Sequence, residues 1–82
     1  MTGADRERLA ELTEIYADAV GHDDVRRDDD FFALGGTSSG AVRIVLAVEE
    51  RFGVRIEIED FLDQPTLHGL ATAVEQAEGA AR

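Results

Sequence analysis

A serine at the start of a predicted helix is the residue best placed to do chemistry. Ser38 follows an aromatic pair, a glycine pair and Thr37, and a helical pattern begins there. A hydroxyl at a helix N-terminus lies near free backbone N–H groups and the positive end of the helix dipole, which would stabilise a phosphodiester on its oxygen. Gly35 and Gly36 have no Cβ, so a modifying enzyme can approach the backbone closely. The layout fits a serine that another enzyme modifies, and it also fits a plain N-cap after a glycine turn.

The same segment has the spacing of a serine nucleophile. Residues 36–40 match G-x-S-x-G, and His68 lies downstream with Asp60 and Asp63 between them. That motif requires a strand before the serine, whereas here three aspartates and a glycine turn precede it. The serine also needs an adjacent base oriented by a third group, and His68 falls in the first turn of a predicted helix, where histidine is ordinarily solvated. We therefore predict no catalytic residue, with a minimal serine hydrolase as an alternative.

Metal binding is no better supported by the residues. The loop before Ser38 is rich in aspartate, at Asp23, Asp24, Asp28, Asp29 and Asp30. The calcium-loop spacing D-x-[DN]-x-[DN]-G-x₅-E is absent, so no bidentate glutamate closes a ligand shell. The chain has no cysteine, which excludes disulfides, thiolate zinc sites and a cysteine nucleophile. We predict a solvated acidic loop and no metal site.

Helical periodicity in four segments predicts the elements that position Ser38. The predicted helices cover residues 5–20, 38–52, 59–63 and the segment from Leu67 onward. The predicted fold class is all-α, a small bundle of three main helices plus one short helix, with a long loop over 22–37 between helices 1 and 2. Residues 54–58 alternate apolar and charged side chains, but no second strand is available to pair with them, so we predict an extended loop.

Apolar spacing predicts which side chains form the core. In helix 1 these are Leu9, Leu12, Ile15, Tyr16 and Ala19. In helix 2 the predicted stripe is Ala41, Val45, Val48 and Phe52, with Ile44 beside it. The last helix contributes Leu67, Leu70, Ala71 and Val74. The short helix is predicted to turn inward Phe61 and Leu62. The apolar residues predicted to hold the long loop against the helices are Val25, Phe31, Phe32 and Leu34.

Local signals predict the helix ends and the extent of the domain. Gly21 and Gly53 are expected to stop the first two helices, and Thr66 to cap the last one. Gly40 inside helix 2 should cost about 1 kcal/mol relative to alanine. We predict a single domain over 1–82, with an ordered core over about 5–77 and a frayed tail over 78–82.

The charge restricts the class of partner. The 82 residues carry a net charge of −10, which disfavours nucleic acids and anionic membranes. An acidic surface suits partners with basic docking patches. The polar N-terminus lacks a signal peptide's apolar core, and no apolar run approaches the 18 residues of a membrane span. We expect a cytoplasmic location.

The segment from Asp30 to Ser38 resembles the attachment motif of the carrier domains of nonribosomal peptide synthetases. That motif has an aspartate, two phenylalanines, a variable residue, Leu-Gly-Gly and one more variable residue before the modified serine. Similar segments follow in order, at 43–45, 51–54 and 61–71, so the resemblance covers roughly residues 9 to 77. It identifies the chain as a peptidyl carrier protein of the acyl-carrier-like superfamily.

The resemblance implies a small all-α bundle and a covalent cofactor. A phosphopantetheinyl transferase would attach 4′-phosphopantetheine from coenzyme A to Ser38, with Gly35, Gly36 and Thr37 as the flanking motif. The thiol of this arm would hold an aminoacyl, peptidyl or other acyl group as a thioester. Adenylation or loading enzymes, condensation enzymes and tailoring enzymes of an antibiotic-type pathway would be the partners. The carrier itself would catalyse nothing.

Partner choice should depend on two positions where the chain departs from the family pattern, and on the apolar face of helix 2. The family usually has leucine at the position of Ser39 and often histidine or aspartate at that of Thr37. Related carriers dock through apolar residues on this face, which implies partner contacts for Val42, Leu46 and Ser39. The alternative is that Val42 and Leu46 help to close the core.

The ends of the chain bear on whether the carrier is free-standing, and three other functions are alternatives. Because the chain starts at a methionine and ends close to its last helix, we expect a free-standing, monomeric carrier. An acyl carrier of a polyketide or fatty-acid pathway would use the same arm with different cargo. An unmodified helical interaction module using Val42 and Leu46 is the alternative from a different class, beside the hydrolase.

Overall fold

Four helices account for the secondary structure of residues 3–80, which are the residues that the computed structural model describes. They are α1 (Gly3–Val20), α2 (Ser38–Phe52), α3 (Ile58–Asp63) and α4 (Leu67–Ala80). No strand occurs over 3–80, so the predicted all-α fold of three main helices and one short helix is confirmed. Residues 54–57 lie outside any helix or strand, in keeping with the loop predicted over 54–58, but Ile58 already belongs to α3. None of the described helices is long and apolar enough to cross a bilayer.

The helices end where the local signals predict. Gly21 and Gly53 both have left-handed backbones, with φ of 79° and 67°. The Gly53 N–H donates to the Glu49 carbonyl, which is the bond expected at a glycine-terminated helix. The Thr66 hydroxyl accepts a hydrogen bond from the Gly69 N–H at 2.9 Å, so Thr66 caps α4. Residues 78–80 continue α4 while 81 and 82 lie outside the described residues, and fraying of 78–82 stays a prediction.

Three aromatic rings form the centre of the core. The rings of Tyr16, Phe31 and Phe61 meet edge to face, with centroids 5.4 to 6.4 Å apart. Such pairs add about 0.5–1.5 kcal/mol each beyond the area that they bury. Aliphatic side chains from α1, α2, α4 and the 54–57 segment surround the rings; those buried are Leu12, Ile15, Ala41, Ile44, Val48, Val54, Ile56, Leu67, Leu70 and Val74. The core therefore joins α1, α3 and the long loop through aromatic contacts.

The structure corrects the predicted core in three places. In α2 Ile44 is wholly buried, whereas Val45 and Phe52 are only partly buried. The buried face of α2 is therefore centred on Ala41, Ile44 and Val48 rather than on the predicted stripe. Leu62 is 44% exposed, because a six-residue helix has one inward face and Phe61 occupies it. Phe32 is 40% exposed, because Phe31 takes the core position that the loop offers.

Candidate functional site

Ser38 is the first residue of α2, and its side chain is exposed. Thr37, not Ser38, is the N-cap: its backbone is extended and its hydroxyl accepts a hydrogen bond from the Gly40 N–H at 3.1 Å. The Thr37 carbonyl accepts from the Ala41 N–H at 3.0 Å. The Ser38 hydroxyl is therefore not used in capping, so the reading of Ser38 as a plain N-cap is wrong.

The electrostatic surroundings of Ser38 favour an anion. The N–H groups of Ser38 and Ser39 belong to the first helical turn, where they have no carbonyl acceptor within the helix. The first turn of α2 carries no acidic residue. The helix dipole places partial positive charge at this end. A phosphate ester on the Ser38 oxygen therefore fits the residues present.

The two glycines before Thr37 are required for different reasons. Gly35 has φ of 99°, which an L side chain adopts only under strain. A Cβ on Gly36 would lie 2.6 Å from Cζ of Phe31 and closer to two other carbons of that ring. The Gly36 N–H also donates to the Phe31 carbonyl at 2.9 Å. The turn that presents Ser38 thus packs directly against the Phe31 ring, which leaves no room for a Cβ at position 36.

Gly40 allows α2 to approach its neighbours closely. A Cβ at this position would lie 3.1 Å from Cζ of Phe31 and 3.2 Å from the Ala19 carbonyl oxygen. A glycine here lowers helix stability by about 1 kcal/mol relative to alanine, as predicted from the sequence. The structure shows that the missing Cβ also makes room for close packing. It brings the start of α2 against the end of α1.

Hydrogen bonds at three points anchor the long loop before Ser38. They join Tyr16 Oη to the Asp29 carbonyl (2.8 Å), the Phe31 N–H to the Pro65 carbonyl (2.7 Å), and the His68 N–H to the Arg27 carbonyl (3.1 Å). The first bond comes from α1, and the others come from the segment where α3 passes into α4. The loop is therefore held on two sides, and its last residues enter α2 from a defined direction.

The Tyr16 hydroxyl that anchors this loop has a raised pKa. The pKa of Tyr16 is raised from 10.0 to about 12, first by burial and then by the negative charges of Asp30 and Asp29. A neutral phenol donates its proton to the Asp29 carbonyl. The raised pKa keeps that donor protonated into the alkaline range, above pH 10.

The structure does not assemble the residues of the alternative hydrolase site. The His68 ring contacts the Arg27 guanidinium, with Nδ1 at 3.4 Å from Nη2. The Asp60 carboxylate accepts from the Glu57 N–H within the capping box of α3. No described hydrogen bond joins Ser38 to a base, and no group of three or more metal-ligating side chains occurs in the described part of the chain.

The predicted docking residues lie on the outward face of α2. Val42 is 47% exposed and Leu46 is 58% exposed, so neither closes the core. Ser39 is exposed as well. Within the described residues the large exposed apolar side chains are Phe32, Val42, Leu46 and Leu62. Sequence periodicity did not identify Phe32 and Leu62 as surface residues, because each adjoins a second apolar residue that is buried.

Comparisons with known proteins identify one matching family model over most of the chain. The family model described as the phosphopantetheine attachment site matches residues 10–74. The chain is 54% identical over 46 residues to pyochelin synthetase PchE of Pseudomonas aeruginosa; the match covers 56% of this chain and 3% of the synthetase.

Two solved structures share the fold at significant sequence identity. BlmI, a type-II acyl carrier protein from Streptomyces verticillus involved in bleomycin biosynthesis, superposes with a TM-score of 0.80 at 32% identity, over 89% of this chain and 88% of BlmI. A chain in the complex of the phosphopantetheine transferase Sfp with coenzyme A and a peptidyl carrier protein superposes with a TM-score of 0.77 at 26% identity. That match covers 83% of this chain and 88% of the other.

Proposed function

Because the chain belongs to the phosphopantetheine attachment family, we propose that it is a carrier whose Ser38 bears 4′-phosphopantetheine in nonribosomal peptide synthesis. The arm would hold an aminoacyl or peptidyl group as a thioester. The observation that carries this proposal is the exposed Ser38 hydroxyl at the first position of α2, free of capping and beside open backbone N–H groups.

The attachment reaction uses the Ser38 oxygen as the nucleophile. This oxygen forms a bond to the pyrophosphate phosphorus on the pantetheine side of coenzyme A. The bond from that phosphorus to the oxygen bridging the two phosphates breaks, and adenosine 3′,5′-bisphosphate leaves with the bonding electrons. The hydroxyl proton passes to a base of the transferase or to water. No described hydrogen bond joins Ser38 to a base, and His68 and Asp60 have other partners, so the transferase would supply the activation.

The attached group supplies the reactive thiol. The chain contains no cysteine of its own, so any thioester chemistry requires a sulfur that arrives with a cofactor. The chain's own residues would hold the phosphodiester end, through Ser38 and the N–H groups of the first turn of α2. On this proposal the chain is no enzyme, and its family is not catalytic by itself.

The proposed partners are a phosphopantetheinyl transferase and then adenylation, condensation or tailoring enzymes. The similarity to a synthetase and to a carrier bound by a transferase supports this choice. The likeness to BlmI, named an acyl carrier, supports an acyl cargo as the second candidate. A free-standing monomer in the cytoplasm stays a prediction from the sequence.

Intact mass spectrometry tests the attachment. The apo protein is incubated with coenzyme A and a transferase of broad specificity. The expected product gains one phosphopantetheinyl group, which Ser38→Ala abolishes and the matched variant Ser39→Ala retains. An unmodified wild type, or a label that survives Ser38→Ala, contradicts the proposal. A fluorophosphonate probe that labels Ser38 would support the hydrolase instead, and a protein that reacts with neither would support the interaction module.

The outward face of α2 is the proposed contact for loading enzymes. Leu46 is the most exposed of the large apolar residues on this helix, so Leu46→Glu removes no core contact. We expect the circular dichroism spectrum to stay unchanged while loading of the attached arm slows by about tenfold, as at a docking hot spot. Loading at the wild-type rate would remove Leu46 from the docking surface.

A further inference from the structure

A cleft between α1 and α4 has no role in the proposed attachment at Ser38. Its volume is about 250 Å³, and Ser38 does not line it. The α4 side of the cleft is formed by His68, Ala71, Thr72 and Glu75. Their spacing of three and four residues places them on one face of the helix. Pockets for drug-sized ligands measure roughly 300–1,000 Å³, so this cleft suits a smaller molecule.

Apolar side chains form the floor of the cleft, and charged groups lie at its two ends. The α1 side contributes Leu12, which is wholly buried. One end carries the ion pair between Arg8 and Glu78, whose Nη1 and Oε1 atoms are 3.0 Å apart. The other end, about 15 Å earlier along α4, is formed by His68 and Arg27. A ligand in the cleft would therefore meet hydrocarbon beneath it and hydrogen-bond donors at the start of α4.

Two contacts hold Arg27 and His68 together. The His68 N–H donates to the Arg27 carbonyl at 3.1 Å, and Nη2 of Arg27 lies 3.4 Å from Nδ1 of His68. A guanidinium has donors only, so Nδ1 is the acceptor in the second contact and the imidazole proton is on Nε2. The pair therefore offers the other guanidinium N–H groups and the Nε2–H side by side.

No carboxylate of the described chain pairs with these donors. Among the described residues, neither Arg27 nor His68 forms an ion pair. Aspartates follow Arg27 directly, but Asp29 and Asp30 accept hydrogen bonds from backbone N–H groups of the loop, at 3.1 and 2.9 Å. The chain has 18 acidic residues against 8 basic ones. An arginine without a carboxylate partner in such a chain, beside an apolar cleft, indicates an anion that comes from outside.

We propose that this cleft binds a small monocarboxylate with an apolar body, a function that goes beyond the carrier role. The carboxylate would accept hydrogen bonds from Arg27 and His68, and the guanidinium fork suits its two oxygens. The apolar body would lie on Leu9 and Ala71. Glu75 lines the same cleft and repels a second negative charge, which favours a monoanion over phosphate.

Benzoate is the probe, because it combines one carboxylate with a ring. It is titrated into isotope-labelled protein, and the backbone amide shifts are followed by NMR. We expect saturable shifts at Leu12, Ala71 and Thr72 and none at Leu46, with a Kd in the millimolar range that suits so few atoms. Benzamide, which is neutral, and inorganic phosphate should each bind at least about tenfold more weakly. Ser38→Ala should bind benzoate as the wild type does, because Ser38 does not line the cleft.

Two variants and a matched control assign the binding to the cleft. Arg27→Gln removes the charged fork but keeps the carbonyl that accepts from the His68 N–H, and it should raise the Kd at least about tenfold. Arg55→Gln makes the same change of charge at an exposed arginine outside the cleft and should leave the Kd unchanged. Ala71→Leu fills the floor and should abolish binding, with the circular dichroism spectrum unchanged. If Ala71→Leu does not fold, the comparison of Arg27→Gln with Arg55→Gln decides alone.

The results that would overturn the proposal are distinct from those that concern attachment at Ser38. Shifts that do not saturate, or a Kd that is unchanged in Arg27→Gln or in a folded Ala71→Leu variant, would exclude the cleft as the site. Equal weakening in Arg27→Gln and Arg55→Gln would reduce the binding to net charge. Phosphate bound as tightly as benzoate would exclude a monocarboxylate as the preferred ligand. A wild type that is never phosphopantetheinylated would defeat the carrier role and leave this site standing.

Discussion

Gly36→Ala tests the idea that the Phe31 ring shapes the turn before Ser38. The added Cβ would lie 2.6 Å from Cζ of Phe31 and closer to two other ring carbons. The ring cannot simply rotate away, because Phe31 is wholly buried and packs against Tyr16 and Phe61 at centroid distances of 5.5 and 5.4 Å. Backbone or core must shift, and overpacking of this kind costs about 1–3 kcal/mol.

The Gly36→Ala variant should still fold, so its loss of stability can be measured. At roughly 0.05–0.15 kcal/mol per residue, a domain of this size has about 4–12 kcal/mol of stability. Urea unfolding followed by far-UV circular dichroism gives the free energy of unfolding. The control is Gly79→Ala in α4, where an added Cβ meets nothing within 4 Å. That substitution should leave the stability unchanged or raise it by up to about 1 kcal/mol.

A double-mutant cycle assigns the cost to the ring itself. Phe31→Leu leaves a partial cavity and should cost less than the roughly 3–5 kcal/mol typical of Phe→Ala. When it is combined with Gly36→Ala, the new methyl group can enter the space that the ring vacates. The combined loss should then fall short of the sum by about 1–2 kcal/mol. Strictly additive losses, or a Gly36→Ala variant as stable as the wild type, would refute the reasoning.

Two further predictions concern groups that hold the loop and cap the helix. Tyr16→Phe removes the hydrogen bond to the Asp29 carbonyl and should cost about 1 kcal/mol at neutral pH. Because the Tyr16 pKa is raised from 10.0 to about 12 in the folded state, its contribution is complete below pH 10 and is lost as pH rises through 12. That loss is about 2–3 kcal/mol, and it should lower the urea midpoint of the wild type between pH 9 and 12. The Tyr16→Phe variant should not show it. An equal alkaline decline in the wild type and in the variant would exclude Tyr16 as its source. Thr37→Ala should cost about 1 kcal/mol of unfolding free energy by removing the acceptor for the Gly40 N–H, whereas Thr37→Ser, measured in the same way, should keep most of it. Equal losses in the two variants would place the effect in the methyl group instead.

Sequence patterns alone were sufficient for the elements and for the candidate attachment serine. Long amphipathic segments with glycine stops predict helices well, because every turn repeats the same apolar face and Gly21 and Gly53 take left-handed backbones at the ends. Ser38 was identified by its fixed spacing after Leu-Gly-Gly, which is a property of the chain and needs no coordinates. The acidic character follows from composition alone, and so does the lack of any native thiol.

Only the tertiary structure decided which of two neighbouring apolar residues is buried. Phe31 and Phe32 have the same side chain. They lie in an irregular loop, which has no repeating apolar pattern that would show which of the two is buried. The burial of Phe31 depends on rings from α1 and α3 that are distant in sequence, and that contact leaves Phe32 at the surface. Thr37 rather than Ser38 is the cap because the backbone is extended at Thr37 and helical from Ser38 onward, where the anchored loop passes into α2. Contacts between distant segments set these outcomes, and local sequence does not encode them.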